Sequence, residues 1–176
     1  MANAFGTGLE IEAFTAANRV SETLFNLVAG GALSSAFIPT FTTLLSKDDR
    51  QGAWKLASAV GNLLLLLLSL IGILAAVLAP QIVRYLLAPG FSDNLYKEQL
   101  TIDLLRLMLP SAVIFGLSGL VMGILNSYQK FFIPALAPAM YSLGMIFGVL
   151  VLKPYLGIYG LAWGVLIGAG LHLVLQ

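Results

Sequence analysis

The sequence contains no cysteine and a single histidine, His172. The absence of cysteine excludes a disulfide framework and any metal site built from thiolates. His, Asp and Glu residues do not cluster at the spacing of metal ligands, so neither a metal site nor a cofactor is predicted. The formal net charge is only +1, which gives no indication of nucleic-acid binding or of polybasic attachment to lipid headgroups.

Charged residues are also scarce. They make up 10% of the chain and hydrophobic residues 59%, whereas soluble domains average about 25% and 45–50%. Each of five charge-free windows is longer than the ~20 apolar residues that a helix needs to cross the hydrocarbon layer. The windows cover residues 23–46, 56–83, 107–129, 131–152 and 154–176.

The apolar windows predict helices rather than the strands of a membrane barrel. Runs such as Leu63–Leu68 do not alternate in polarity, as barrel strands do. We therefore predict an all-α integral membrane protein with about five transmembrane helices. The predicted spans are about 10–46, 53–83, 97–127, 131–152 and 156–176, and the first is bent because Gly30-Gly31 interrupts it. The abrupt start and end of the chain lead us to expect truncation at both ends.

Proline and cap residues predict where the helices bend and begin. Pro80 is expected to bend the second span, and Pro110 to kink the third within the membrane. The Pro-Gly pair in Ala88–Phe91 predicts a turn. Asp93 or Asn94 is expected to cap the helix that follows it.

Glycine pairs at GxxxG spacing occur in three of the predicted spans. They are Gly119 and Gly123, Gly144 and Gly148, and Gly164 and Gly168. Because this spacing lets two helix backbones approach closely, it predicts a tightly packed bundle.

Charges close to the first span are the best indication of a functional site. Glu12, Arg19 and Glu22 lie at spacings of seven and three, which places them on roughly one face of a helix. One interpretation is the wall of a polar cavity, in which Arg19 presents its guanidinium to an anionic group such as a phosphate. The other interpretation is a local ion pair between Arg19 and Glu22 at the membrane edge.

The remaining charges near the spans have structural interpretations. We expect Asp103 and Arg106, three residues apart, to form an ion pair, and Arg84 and Lys97 to extend to the headgroups. His172 is expected to pack between helices, with its partner outside this chain.

Particular strings of residues resemble one family of membrane proteins. The string Gly31–Phe41 is similar to the signature that follows the second helix of the MurJ (MviN) family of lipid II flippases. Further matching strings occur in the same order at matching spacing, and the resemblance covers nearly the whole chain. They are Ala13-Phe14 with Ala16 and Ala17, Ala88–Phe91, Gly123–Asn126, and Phe132–Ala135 with Pro138.

The resemblance implies a transporter of the bacterial inner membrane rather than an enzyme. The implied fold has fourteen helices in two lobes and moves lipid II, a lipid-linked peptidoglycan precursor, by alternating access. This chain would supply helices two to six of the first lobe. The expected partners are lipid II, membrane lipids, and the missing first helix and second lobe of the same protein, with no nucleic acid.

The resemblance also bears on individual residues. Glu12 matches an acid of the family, and Arg19 stands at a commonly basic position. The chain departs from the family pattern at Ser21-Glu22, where many members have Pro-Asn, at Phe25-Asn26, where they have two arginines, and at Gly30, where they have an acid. The cavity is therefore expected to be less cationic than is usual in the family, with Arg19 as the remaining candidate for binding pyrophosphate.

Two other classes of function stay open on the residues alone. A polysaccharide-unit flippase or a drug/cation antiporter would share the fold, but an antiporter needs acids deep in a span, and the five windows contain none. A non-transport scaffold is also compatible with the sequence. A membrane enzyme is disfavoured, because clustered acids that could hold a metal or act as a base are not seen.

Overall fold

The structure is a computed structural model, and it describes residues 8–26, 33, 35–87 and 94–176. Within these residues every regular element is helical and none is a strand, which confirms the predicted all-α class. The α-helices are α1 (Leu9–Asn26), α2 (Ile38–Ser46), α3 (Arg50–Val77), α4 (Ala79–Gln81), α5 (Leu95–Met108), α6 (Pro110–Ser127), α7 (Phe132–Phe147), α8 (Lys153–Leu156) and α9 (Ile158–Leu175). Helix α4 is followed by the π-helix π1 (Ile82–Leu87), and α7 by the π-helix π2 (Gly148–Leu152).

Four helical stretches in the described residues are long and apolar enough to cross a membrane. They are Arg50–Val77, Leu95–Ser127, Phe132–Leu156 and Ile158–Leu175, and they fall where the last four spans were predicted. The first predicted span includes α1 and α2, but its Gly30-Gly31 interruption lies outside the described residues. The predicted turn at Ala88–Phe91 also lies outside them.

Proline interrupts the hydrogen-bond ladder at both predicted positions. Helix α5 ends at Met108 and α6 begins at Pro110, where Ala112 N donates to Leu109 O at 3.1 Å rather than to the carbonyl four residues back. Helix α3 ends at Val77, and Pro80 lies in the short helix α4 that leads into π1. Both breaks follow from the missing N–H of proline and from the clash of its ring with the preceding turn.

Two of the helices begin with a side-chain N-cap. The Asn94 side chain accepts a hydrogen bond from Lys97 N at 3.1 Å at the start of α5, as predicted. Asp49 does the same for Gly52 N at 2.8 Å at the start of α3. Each cap satisfies one of the backbone donors that a helix leaves unpaired at its N-terminus.

Helices α7 and α9 pack with their backbones in contact, as their glycines predicted. A Cβ added at Gly144 would lie 2.3 Å from Gly168 Cα, and one added at Gly148 would lie 2.8 Å from Gly164 Cα. Gly123 behaves differently, because its nearest neighbours are the side chains of Ile38 and Phe37 at 3.4 and 3.5 Å. Close helix contact at GxxxG spacing is thus seen between α7 and α9, whereas Gly123 meets side chains.

The buried side chains form two apolar clusters. One joins α1, α5 and α9 around Leu104, Leu105 and Leu161, and the other joins α2, α3 and α6 around Phe41 and Leu68. The outer face of α3 instead exposes a row of large apolar side chains, which suits contact with lipid. This row includes Leu63, Leu66, Leu70, Ile73 and Val77.

Candidate functional site

The polar face of α1 is formed by Asn18, Ser21 and Glu22. Positions three and four residues apart lie side by side on a helix, so these side chains share one surface. Alanines on the buried side, Ala13 and Ala17, are fully buried in the core that joins α1 to α5 and α9. Burial of this small-residue face turns the polar face toward the space between α1, α6, α7 and α9.

That space is a cavity of about 350 Å³. Its wall combines the polar face of α1 with aromatic, thioether and imidazole side chains from the three other helices. The described residues that line it are Asn18, Ser21, Glu22, Phe115, Met122, Pro138, Tyr141 and His172. None of these lining residues is a lysine or an arginine, so the carboxylate of Glu22 is the one fixed charge among them.

From the helix lengths we infer that the cavity lies within the thickness of the membrane. At a helical rise of about 1.5 Å per residue, Tyr141 is about 13 Å along α7 from Phe132, and His172 is about 21 Å along α9 from Ile158. These two helices run between opposite faces of a layer about 30 Å thick. Glu22 shares the cavity with both side chains. It precedes the first charge-free window by one residue, so the absence of acids from the windows does not keep an acid out of this cavity.

Glu22 is held by its own helix. Asn18 Nδ2 donates to Glu22 Oε1 at 2.5 Å, one helical turn away. Glu22 nevertheless remains exposed. One oxygen of the carboxylate is therefore oriented by Asn18, while the group as a whole remains accessible from the cavity.

His172 is anchored by a buried polar network. Its Nδ1 lies 2.6 Å from the hydroxyl oxygen of Ser118, and that hydroxyl donates to Gln176 Oε1 at 3.1 Å. The Phe115 ring meets the imidazole edge-on with a centroid distance of 5.6 Å. The expectation that the partner of His172 lies outside the chain is therefore wrong, because its hydrogen-bonding partner Ser118 is present on α6.

The three charged residues predicted as a substrate site have different surroundings in the part of the chain that the structure describes. Glu12 forms an ion pair with Lys97 of α5, whereas Glu22 lines the cavity. Arg19 is exposed, and among the described residues it joins no ion pair, so the alternative of a local pair with Glu22 is not seen.

The pair between Glu12 and Lys97 replaces the expected headgroup contact of Lys97. The Lys97 side chain is 14% exposed and that of Glu12 54%. Such burial of the lysine is incompatible with an ammonium extended into the headgroup layer. The two residues instead tie α1 to α5.

The ion pair expected between Asp103 and Arg106 does not form. Asp103 accepts from Gln99 Nε2 at 3.0 Å, and Arg106 Nε donates to Ala76 O at 3.0 Å. The carbonyl of Ala76 is the one that Pro80 would bond if it had an N–H, so Arg106 supplies the missing donor.

Arg84 also has an acidic partner, but its side chain is 51% exposed, so its contact with the headgroups stays a prediction. Its Nε lies 3.3 Å from Glu98 Oε1, and the Glu98 side chain is 9% exposed. Arg84 thus pairs with a buried acid across the segment that joins π1 to α5.

Sequence reasoning missed five of the polar or aromatic residues that line the cavity. These are Asn18, Ser21, Phe115, Tyr141 and His172. The spacing of Asn18, Ser21 and Glu22 could have indicated a polar helix face within a span. Tyr141 and His172 lie far along the chain from α1, and no local pattern links them to it.

A family model described as lipid II flippase MurJ matches residues 1–176 of this chain. The chain belongs to the lipid II flippase MurJ family. Among its curated relatives, the probable lipid II flippase MurJ of Rhizobium meliloti (strain 1021) is 36% identical over 177 residues, covering 97% of this chain and 33% of that protein. The lipid II flippase MurJ of Burkholderia cenocepacia is 31% identical over 181 residues, covering 100% of this chain and 34% of that protein.

A solved structure of the family has the same fold. The lipid II flippase MurJ in its inward closed conformation superposes with a TM-score of 0.82 at 29% identity, over 97% of this chain and 35% of that one. This confirms the resemblance seen in the strings of residues and places the chain among multi-pass proteins of the bacterial inner membrane. The chain spans about a third of the length of the relatives it matches.

Proposed function

We propose that this chain forms part of a lipid II flippase, which moves a lipid-linked peptidoglycan precursor across the inner membrane by alternating access. The observation that carries the proposal is the family match over the whole chain, together with the TM-score of 0.82 to a lipid II flippase. The proposed activity moves its cargo without making or breaking covalent bonds, so we propose a transporter and not an enzyme.

The mechanics of the helices support this proposal. Alternating access requires helices that bend and groups of helices that move as rigid bodies. The breaks at Pro80 and Pro110 supply bends, and the glycine contacts between α7 and α9 make a stiff pair. The cavity lies between this pair and the polar face of α1, so movement of α1 against the pair would change access to it.

We propose separate roles for the three charged residues of α1. Arg19, exposed and without an ion-pair partner among the described residues, is the side chain that would contact a phosphate of the cargo. Glu22 would contact the cargo from the cavity. Glu12 would act through its pair with Lys97, which positions the start of α1 against α5.

Depletion of the gene tests the proposed function in cells. We expect depletion to lower the amount of lipid II accessible on the outer leaflet, measured with an impermeant enzyme that cleaves exposed lipid II. Re-expression of the complete gene should restore accessibility, and Arg19→Met should restore it less well than Arg50→Met, which alters an exposed arginine at the start of α3. Unchanged accessibility after depletion would contradict the proposed function.

A cation antiporter of the same superfamily is a second candidate, and one observation favours it. Glu22 places a carboxylate within the membrane, where ionisable groups are costly and usually functional. Uptake of a labelled cation driven by a proton or sodium gradient, measured in vesicles holding the complete protein, would distinguish this activity from flipping of lipid II.

A further inference from the structure

We infer that the cavity between α1, α6, α7 and α9 binds a primary ammonium group, with Glu22 as the residue that recognises its charge. For the proposed flippase, the ammonium belongs to the peptide of the lipid-linked cargo, and in this form the inference rests on the proposed function. A soluble organic amine offers the same chemistry from a second source.

The charge of the cavity is the first argument. Glu22 is the fixed charge among the described lining residues, and the polar atoms contributed by Asn18 and Ser21 stand beside it on the same helix. A carboxylate within a membrane attracts a cation strongly, because the surroundings screen it poorly. The Glu22 carboxylate would repel a phosphate, so the cavity favours a cation, whereas Arg19 favours an anion.

The size and the walls of the cavity favour an organic cation over a bare metal ion. About 350 Å³ is far more space than one inorganic ion fills. The rings of Phe115 and Tyr141 meet at 5.3 Å beside it, and aromatic surfaces attract ammonium groups. Pro138 and Met122 add apolar surface for the carbon chain that carries the ammonium.

The supporting contacts hold the carboxylate ready for a ligand. Asn18 occupies Glu22 Oε1, which leaves Oε2 to accept from an ammonium. Ser118 holds the imidazole of His172 through Nδ1, so the ring has a fixed position in the cavity wall. A primary ammonium has three donors, and the carboxylate and neighbouring polar atoms supply acceptors for them.

The test compares binding of matched ligands to the complete protein in lipid nanodiscs. The ligands are a lipid-linked disaccharide pentapeptide with a free lysine amine, the same compound with that amine acetylated, and soluble pentylamine. The proteins are the unchanged chain, Glu22→Gln, and the control Glu10→Gln, an acid at the start of the same helix and outside the cavity. Binding is measured by calorimetry, and folding of each variant by thermal unfolding.

We expect Glu22→Gln to weaken binding of the free-amine cargo by about tenfold to a hundredfold, as loss of one charge-assisted hydrogen bond implies. Acetylation should weaken binding to the unchanged protein by a similar factor and should have little further effect on Glu22→Gln. Glu10→Gln should bind all ligands as the unchanged protein does. Equal binding of the free and acetylated cargo by the unchanged protein would overturn the inference while leaving the flippase proposal intact.

The soluble amine separates the two sources. If pentylamine binds in a Glu22-dependent way and neither lipid-linked compound binds, the inference stands with a soluble ligand and the flippase proposal fails. If none of the three ligands binds the folded protein, both fail. Additive effects of acetylation and Glu22→Gln would show that the amine is recognised elsewhere and would also overturn the inference.

Discussion

The hydroxyl of Ser21 on α1 donates to the carbonyl oxygen of Met108, at 3.3 Å, across the helix break at Pro110. Ser111 donates to the same oxygen at 2.6 Å. This carbonyl lacks its usual partner, since Ala112 N donates to Leu109 O instead. In the membrane interior an unpaired carbonyl is costly. Ser21 gives the Met108 carbonyl a hydrogen-bond donor and thereby joins α1 to the end of α5.

Replacement of Ser21 by alanine should therefore destabilise the bundle modestly. We expect Ser21→Ala to lower the free energy of unfolding by about 1 kcal/mol, because Ser111 still occupies the oxygen. The measurement is an SDS titration of the purified protein in mixed micelles. Ser142→Ala is the matched control, because Ser142 is exposed and bonds only within its own helix, to Pro138 O. An effect equal to that of the control would contradict the role of Ser21.

The hydrogen bond from Arg106 to Ala76 O plays the same part at Pro80 that Ser21 plays at Pro110. We expect Arg106→Met to lower the free energy of unfolding by roughly 1.5–3 kcal/mol, the range for a hydrogen bond from a charged donor. In a Pro80→Ala background, the new N–H of residue 80 can donate to Ala76 O. Arg106→Met should then lower the free energy of unfolding by less than about 1 kcal/mol.

The double-mutant cycle isolates this coupling from other roles of the arginine. Arg50→Met serves as the control, because Arg50 is 80% exposed in a surface ion pair, and such pairs contribute little. If Arg106→Met has the same effect with proline or alanine at position 80, Arg106 does not compensate for the missing N–H of Pro80.

The spans and the helix packing could be predicted from the sequence because they depend on local composition and spacing. Charge-free windows located the later helices, and GxxxG spacing identified the close contact of α7 with α9. The depth of Glu22 could not be found in this way. A charge-free window ends at any acid by definition, so an acid that enters a span is always assigned to its edge.

The polar side-chain contacts between helices could not be predicted, because the two residues of each contact are distant along the chain. Glu12 and Lys97 are 85 positions apart, and Ser118 and His172 are 54 apart. Arg106 was expected to pair with the nearby Asp103, but it bonds a backbone carbonyl that residue types do not reveal. Proline positions give the one available signal, since each proline leaves a carbonyl unpaired four residues earlier.

Glycine at position 144 should be required for the contact of α7 with α9. A methyl group there would lie 2.3 Å from Gly168 Cα, which is backbone and cannot rotate away. We expect Gly144→Ala to separate the helices and to lower the free energy of unfolding by about 1–3 kcal/mol, as overpacking typically does.

Gly170→Ala is the matched control for Gly144→Ala. No atom lies within 4 Å of the position that its Cβ would occupy, and alanine favours a helix over glycine by about 1 kcal/mol. We therefore expect unchanged or slightly higher stability in the same SDS titration. Equal loss in both variants would indicate that the glycines act through flexibility and not through close packing.

Ser118 should stabilise the wall of the cavity by satisfying the buried side chain of His172 and the partly buried side chain of Gln176. It is fully buried and contacts both His172 and Gln176. We expect Ser118→Ala to lower the free energy of unfolding by about 1–3 kcal/mol, because the partners lose their hydrogen bonds in a buried site. Ser127→Ala, which removes a hydroxyl bonded to Gly123 O within the same helix, should have a smaller effect.

A second substitution, at His172, tests whether Ser118→Ala loses stability because the imidazole is left without its hydrogen-bond partner. In the double variant Ser118→Ala with His172→Phe, the unpaired imidazole is replaced by a ring that needs no partner, so stability should recover in part. The Phe115 ring, which meets His172 edge-on, can pack against a phenyl ring in the same way. If the double variant is as unstable as the sum of the single changes, the two residues contribute independently, and the hydrogen bond at 2.6 Å does not anchor this wall.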